Sequence, residues 1–283
     1  MIISIASGKG GTGKTCVSTS FAYALNKINV PVQLIDCDVE EPNANLFIGA
    51  KIEHTENVEV IVPKIDEQKC THCGKCAEFC KFNALVVYPD KVMRFLEMCH
   101  SCAGCKILCP EKAISDEKRT LGIIETGHKE NIQFAHGKLN IGEARATPII
   151  NKLKQLINPT RTVILDSPPG TSCPFVETLK KSDYCILVTE PTPFGLNDLK
   201  LALEVTKEFN IPTGVIINRS DIGNDCAEKY LKDNKTELLM KIPHDMKIAR
   251  GYSEGKTIIE SMPEIGKSFI KLNERIIEII NSK

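Results

Sequence analysis

Apolar residues along this chain fall into two patterns. Short unbroken runs such as Thr162-Val163-Ile164-Leu165 and Cys185-Ile186-Leu187-Val188 read as strands covered on both faces, as in a parallel sheet. Between them lie longer stretches with apolar positions three and four apart, the spacing of amphipathic helices. The runs predict strands over 2–6, 31–36, 58–62, 121–126, 161–166, 184–189, 213–217 and 237–242, with 131–135 able to pair with 121–126 as a hairpin. Helices are predicted over 14–28, 144–157, 196–209, 225–233, 245–253 and 264–281. This alternation predicts an α/β fold, a mostly parallel sheet flanked by helices on both faces. The last helix aligns Ile265, Phe269, Leu272, Ile276 and Ile280, while Glu274 and Glu278 keep its other face from being strongly basic. That stripe is expected to pack on the core and not on a membrane.

From 63 to 118 the alternation gives way to short cysteine-bearing loops. Cys70-Cys73-Cys76-Cys80 and Cys99-Cys102-Cys105-Cys109 both read C-x2-C-x2-C-x3-C. Each run is followed by an apolar stretch, Ala84-Leu85-Val86-Val87 and Ala113-Ile114, so the segment is an internal repeat. The spacing suits [4Fe-4S] clusters, and in two-cluster ferredoxins the fourth cysteine of each run ligates the other cluster. One set is therefore Cys70, Cys73, Cys76 and Cys109, and the second is Cys99, Cys102, Cys105 and Cys80. Pro110 follows the second run as that pattern expects, whereas Lys81 takes the corresponding place in the first. Structural zinc is the alternative, but three close cysteines plus a fourth, twice over, suit a single tetrahedral site poorly. The expected organisation is one domain from 1–62 and 119–283, with a ferredoxin-like α+β insert at 63–118.

Composition narrows the function. At 283 residues with 42% hydrophobic content the chain can bury a large core. Lys+Arg and Asp+Glu are both 36, so no net field draws the chain to nucleic acid or anionic lipid. Thirteen cysteines, with Met1 leading straight into Ile2-Ile3-Ser4-Ile5-Ala6, point to a reducing cytoplasm and not to a disulfide-built secreted protein. No apolar run approaches the roughly 20 residues that span a bilayer. A soluble cytoplasmic protein without nucleic-acid or stable membrane association is expected.

Gly8-Lys9-Gly10-Gly11-Thr12-Gly13-Lys14-Thr15 follows the first predicted strand and opens the first helix, the context a phosphate-binding P-loop requires. Its backbone N–H groups and the helix N-terminus form an anion nest. Lys14 is expected on the β- and γ-phosphates and the Thr15 hydroxyl on Mg2+. With the early Lys9, the motif resembles the deviant Walker A of the MinD/Mrp/nitrogenase iron-protein class of P-loop ATPases. The segments Asp36-Cys37-Asp38, Asp166-Ser167-Pro168-Pro169-Gly170, Glu190-Pro191-Thr192-Pro193-Phe194-Gly195-Leu196, Asn218-Arg219 and Pro243-His244-Asp245 extend the likeness over nearly the whole chain. The resemblance implies an ATP/ADP site built from Gly8, Gly10, Gly11, Thr12, Gly13, Lys14, Thr15 and Cys16. Adenine would lie at Asn218, Arg219 and Pro243, and Mg2+ at Thr15, Asp36 and Asp166. Asp38 would position or deprotonate the attacking water. Lys9 would cross to the partner's nucleotide in a homodimer closed through the nucleotide face.

Five cysteines lie outside the runs. Cys16, Cys37, Cys185 and Cys226 are expected to be packing or spacer residues. Cys173 sits at the offset of the switch II cluster ligand in the nitrogenase iron protein, but neither that protein's second cysteine nor the carrier family's C-x2-C pair has a counterpart here. A packing role is expected of it. His72 and His100 are read as surface residues within the runs. The leading functional expectation is ATP-gated electron transfer through two [4Fe-4S] clusters to a partner protein. The alternative is a metallocluster assembly or carrier ATPase, and the third reading is a positioning or regulatory ATPase whose clusters sense redox state.

Overall fold

The structure, a computed structural model, describes residues 1–282. In chain order its strands are β1 (Ile2–Ala6), β2 (Val32–Asp36), β3 (Lys51–Ile65), β4 (Leu85–Val87), β5 (Val92–Arg94), β6 (Ile114–Lys129), β7 (Ile132–Leu139), β8 (Thr162–Asp166), β9 (Tyr184–Thr189), β10 (Thr213–Asn218) and β11 (Glu237–Ile242). The helices are α1 (Lys14–Lys27), α2 (Ala44–Ile48), α3 (Lys75–Phe79), α4 (Gly104–Ile107), α5 (Thr147–Lys154), α6 (Cys173–Leu179), α7 (Pro193–Glu208), α8 (Cys226–Asp233), α9 (Met246–Ser253), α10 (Ile258–Ser261) and α11 (Gly266–Asn281). A nine-stranded sheet runs β11-β10-β9-β1-β8-β2-β7-β6-β3. It is parallel from β11 to β7, and then β6 and β3 pair antiparallel at one edge.

Alternation along the strands sorts the core into two faces. Ile164 and Ile186 join Phe21, Leu25, Phe269 and Ile276 under α1 and α11. Val163 and Leu165 face Ile149 and Leu153 of α5, while Cys185 and Leu187 face Phe175, Leu199 and Leu203 of α6 and α7. The α11 stripe is thus spent inside: Phe269 and Ile276 are fully buried and Leu272 nearly so. Burying such a side chain stabilises by about 1.5–3 kcal/mol. Among the described residues, no helix is long and apolar enough to cross a membrane.

Several boundaries differ from the sequence pattern, each for a physical reason. β3 extends the predicted 58–62 back to Lys51 because its first half, Lys51 to Asn57, is a largely exposed edge without an apolar signal. The α7 helix starts at Pro193, not 196, since proline suits the first helical turn and Thr192 caps it by accepting from the Gly195 N–H at 3.0 Å. The predicted 144–157 helix shrinks to α5. The 131–135 hairpin pairs as expected with β6, and its strand, β7, is also parallel to β2.

The paired strands β3 and β6 run from Lys51↔His128 to Ile65↔Ile114, with register shifts between Ile52 and His54 and between Val58 and Glu59, and their far ends carry residues 66–113. The ribbon therefore runs unbroken across the expected 62/63 and 118/119 boundaries. Within the carried lobe the backbone repeats at an offset of 29 residues. Positive φ occurs at His72 and Ser101, at Gly74 and Ala103, and at Asn83 and Lys112. The Ala84 N–H donates to Cys80 Sγ at 3.4 Å and the Ala113 N–H to Cys109 Sγ at 3.3 Å.

Candidate functional site

The C-terminal ends of β1, β2 and β8 lie side by side, with Asp36 opposite Asp166 and Ile5 opposite Asp166 in register. Ligands of open α/β sheets bind at this edge. The glycine loop leaves β1 here and enters α1 through Gly13, whose φ of +92° only glycine adopts without strain. A Cβ at Gly13 would meet Asn218 Nδ2 at 2.4 Å, and one at Gly8 would meet the Asp198 carbonyl oxygen at 2.2 Å. Cβ atoms at Gly10 and Gly11 would meet nothing within 4 Å, so these two face open space. A cavity of about 510 Å³ opens over the loop, lined by Gly10, Gly11, Gly13, Lys14, Thr15, Cys16, Asp38, Pro169, Asn218, Arg219 and Pro243 among others.

Lys14 is nearly buried and donates to Asp38 at 2.8 Å. Burial opposes its charge, but Asp166, Asp38 and Asp36 outweigh that and hold its pKa above the ordinary lysine value. Asp36 is fully buried and accepts from the Asp38 and Ala44 N–H groups, both at 3.0 Å. Burial, then the charge of Asp166, pushes its carboxyl up nonetheless. Asp166 is also fully buried and pushed up by burial, and neither of its oxygens has a hydrogen-bond partner within bonding distance. An orphaned buried carboxylate beside Thr15, braced by Asp36 in the adjacent strand, is the donor set a hard divalent cation takes. The residues present thus fit Mg2+.

Two of the expected nucleotide-site residues have partners within the chain. Asn218 lines the cavity, but its amide N–H donates to the Thr12 carbonyl at 2.8 Å and its Oδ1 accepts from the Arg219 N–H. It braces the glycine loop and keeps little of its amide free for adenine. Lys9 lies 3.4 Å from Glu190 of its own chain, and Arg219 pairs with the same carboxylate. Glu190 has no role in the sequence reading; its place just past β9, the next strand to β1, emerges only from the sheet order. Cys16 and Cys37 are pushed far up by burial and behave as packing thiols. Cys173 begins α6 on the surface, so it is not a packing residue.

The eight lobe cysteines gather around two cavities. Cys80, Cys99, Cys102 and Cys105 line one of about 240 Å³ beneath the ribbon. Cys70, Cys73, Cys76 and Cys109 line a smaller one of about 20 Å³. In both, three cysteines come from one run and the fourth from the other. Among the described residues, the group of three ligand-type side chains whose donor atoms converge within 4.8 Å is Glu67, Cys70 and His72. Neither set of sulfurs draws together that tightly, whereas a tetrahedral zinc with 2.3 Å bonds sets sulfurs about 3.8 Å apart. The donor sets fit a polynuclear group better than one ion. His72 meets Glu67 at 3.2 Å within that converging group, whereas His100 stacks on Phe82 with ring centroids 3.7 Å apart.

Comparison with known proteins agrees with the nucleotide site. Residues 3–258 match the family described as CbiA, the CobQ/CobB/MinD/ParA nucleotide binding domain. An uncharacterized protein of Methanocaldococcus jannaschii is 33% identical, covering 92% of each chain. A protein of Pyrococcus horikoshii named iron-sulfur cluster carrier protein is 26% identical over 97% of this chain and 85% of its own length. The septum site-determining protein MinD of Pyrococcus horikoshii, solved with Mg-ADP, superposes with a TM-score of 0.62 at 22% identity, covering 97% of this chain and 95% of that one. The cradle at the end of β1, the three aspartates around it and the match over most of the length make this chain a member of the CobQ/CobB/MinD/ParA family of nucleotide-binding proteins.

Proposed function

We propose that the chain is an ATP-hydrolysing iron–sulfur protein that assembles or carries clusters for other proteins. Among the readings drawn from the sequence, this alternative has more support than the leading expectation of electron transfer. The observation that carries its iron–sulfur part is the crossed enclosure of each lobe cavity by three cysteines of one run and the fourth of the other, joined to a MinD/ParA-type nucleotide site. A relative named as an iron-sulfur cluster carrier aligns with 97% of the chain, which favours carrier over relay. Residues 63–118 are then a ferredoxin-like insert holding two [4Fe-4S] groups. Cys73 and Cys102 are exposed, which leaves one edge of each set open to an acceptor.

At the nucleotide site the chain's own groups divide the work. Lys14 turns from Asp38 to the β- and γ-phosphates, which leaves the Asp38 carboxylate free to orient and deprotonate a water. Thr15 and Asp166, with Asp36 behind, hold Mg2+, which supplies positive charge to the phosphate oxygens when bound. Lys9 leaves Glu190 to reach a partner's nucleotide, so hydrolysis belongs to a homodimer. Electron relay stands as the second reading because four thiolates close each site, and closed sites retain their groups. Anaerobically reconstituted protein, mixed with an apo-acceptor with and without MgATP, separates the two. Nucleotide-dependent loss of iron to the acceptor is expected. Iron that stays on the chain through many cycles while its reduction potential follows the nucleotide would replace carrier with relay.

A further inference from the structure

The two halves of the lobe share a backbone repeated at 29 residues, so a chemical difference between them lies in the side chains. By that offset Glu67, Cys70 and His72 correspond to Leu96, Cys99 and Ser101. In the second half Leu96 packs against the cluster of Val62, Ala84 and Cys99, an apolar setting. In the first half the same two places hold a carboxylate and an imidazole. Their donor atoms and the Cys70 sulfur all lie within 4.8 Å of one another.

The local backbone brings the three together. The Lys69 and Cys70 N–H groups donate to the Asp66 carbonyl at 3.2 and 3.0 Å, which winds 66–70 into a single helical turn. Residues three apart on such a turn share a face, so Glu67 and Cys70 lie on one side. His72 then takes φ of +53°, a left-handed conformation that turns the chain back, and its Nε2 lies 3.2 Å from Glu67 Oε2. A tetrahedral ion with bonds of about 2.0–2.1 Å sets nitrogen and oxygen ligands about 3.3 Å apart. Lys69 pairs with Asp66 at 3.2 Å and leaves Glu67 to the histidine. The Glu67 side chain is 49% exposed and that of His72 19%, so an ion reaches them directly from solvent.

We propose that Glu67, Cys70 and His72 bind a single divalent transition-metal ion, with Fe2+ as the cargo, and that iron enters the set Cys70, Cys73, Cys76 and Cys109 through this site. One thiolate, one imidazole and one carboxylate suit Fe2+, Zn2+ or Co2+, whereas Mg2+ and Ca2+ take oxygen ligands. Three protein ligands leave a position open to water or an incoming ligand, which suits uptake and not storage. Cys70 releases its thiol proton to solvent as the metal–sulfur bond forms, and no electron is transferred. Because that thiolate belongs to both sites, the single ion precedes the cluster and does not accompany it. The uptake step rests on the cluster reading given above; the binding of an ion does not.

Co2+ is the probe, titrated anaerobically into the full chain carrying Cys73→Ser, Cys76→Ser, Cys102→Ser and Cys105→Ser, which leaves too few thiolates in either set to enclose an ion. Cobalt on a thiolate absorbs through a sulfur-to-metal charge-transfer band, which cobalt on the aspartates of the nucleotide site lacks. One cobalt per chain with that band is expected, and adding Cys70→Ser should abolish it. Outer-shell partners alone are worth about 10–100-fold in metal affinity, so His72→Gln or Glu67→Gln should weaken binding at least about tenfold. A band that survives Cys70→Ser, or an affinity that neither replacement changes, would overturn the site. Where the serine variants fail to fold, the same two replacements are tested in the chain with all its cysteines. During anaerobic reconstitution with limiting Fe2+, half of the iron should arrive several-fold more slowly, with the same final content. An unchanged rate would overturn the uptake step. A wild-type chain that takes up no iron–sulfur group, while the cobalt band obeys the three residues, would instead overturn the cluster reading and the uptake step built on it.

Discussion

Glu190 holds two cations at once: Lys9 at 3.4 Å and Arg219, whose neighbour Asn218 braces the glycine loop. Its own side chain is 12% exposed and that of Lys9 is 32% exposed, so screening limits what the Lys9 pair contributes to a few tenths to about 1 kcal/mol. Glu190→Gln should therefore free Lys9 at small cost to folding. Nucleotide-dependent dimers, followed by light scattering across an ATP titration, should form at up to about fivefold lower nucleotide concentration, the factor about 1 kcal/mol supplies. Dimerisation unchanged or weakened would mean that Lys9 works within its own chain. His136 offers a pH effect of definite sign. It lies on β7 beside Asp36 of β2, bonds Glu125 at 2.7 Å and has Lys138 near the same carboxylate. Burial, the largest influence, outweighs Glu125 and holds the imidazole pKa below its ordinary value. The unfolded chain then binds the extra proton first, so stability present above about pH 6.5 is lost as pH falls towards the folded value. His136→Gln should flatten that part of the stability–pH curve, read from urea midpoints between pH 5 and pH 8.

At the scale of elements, the chain was most readable where one physical demand acts alone. The central strands β1, β8 and β9 lie where unbroken apolar runs predicted them, because burial on both faces leaves no polar position to blur the ends. The glycine loop was equally plain, since its spacing answers to one need, backbone N–H groups turned inward. β3 was half hidden because Lys51 to Asn57 form an edge that pairs only with β6, and an exposed edge favours charge over alternation. Glu190 and the bracing role of Asn218 were not legible, as each depends on which strand ends the sheet order sets side by side. Gly13 joins the readable and the hidden: its positive φ follows from the motif, while the 2.4 Å clash a Cβ would make with Asn218 does not. Gly13→Ala should lose both the turn and the brace, lowering stability by about 1–3 kcal/mol and abolishing nucleotide binding in calorimetry. A variant that still binds nucleotide normally would show the loop to be more pliant than its contacts suggest.

Seen whole, the molecule is a nucleotide-binding sheet with a long two-stranded ribbon at one edge, and the ribbon is the sole covalent route to the eight lobe cysteines. Its ladder is intact to its end: Pro63 faces Asp116, Lys64 faces Ser115 and Ile65 faces Ile114, and the Asp66 N–H donates to the Ala113 carbonyl at 2.8 Å. Two strands in that register can be closed by a two-residue turn, and Asn-Gly is the pair whose positive φ angles match their twist. Replacing residues 67–112 with Asn-Gly, so that the bonded pair Asp66 and Ala113 flanks the turn, should therefore give a folded chain, because the clusters of buried side chains under α1, α5 and α7 include no residue of that segment. Val62, which packs with Ala84 and Cys99, would be uncovered; burying such a side chain gives about 1.5–3 kcal/mol, and a loss of that size should be tolerated. Arg119 would lose Glu97 but keep Glu143, and the aspartates at the ends of β2 and β8 would keep their neighbours. The shortened protein should bind Mg-nucleotide within a few-fold of the full chain by calorimetry. Its iron after anaerobic reconstitution should fall from about eight atoms per chain, four for each cluster, to none. Iron retained after the deletion would place a cluster elsewhere, with the exposed Cys173 the first residue to test. Nucleotide binding lost with the fold intact would mean instead that the lobe completes the nucleotide site.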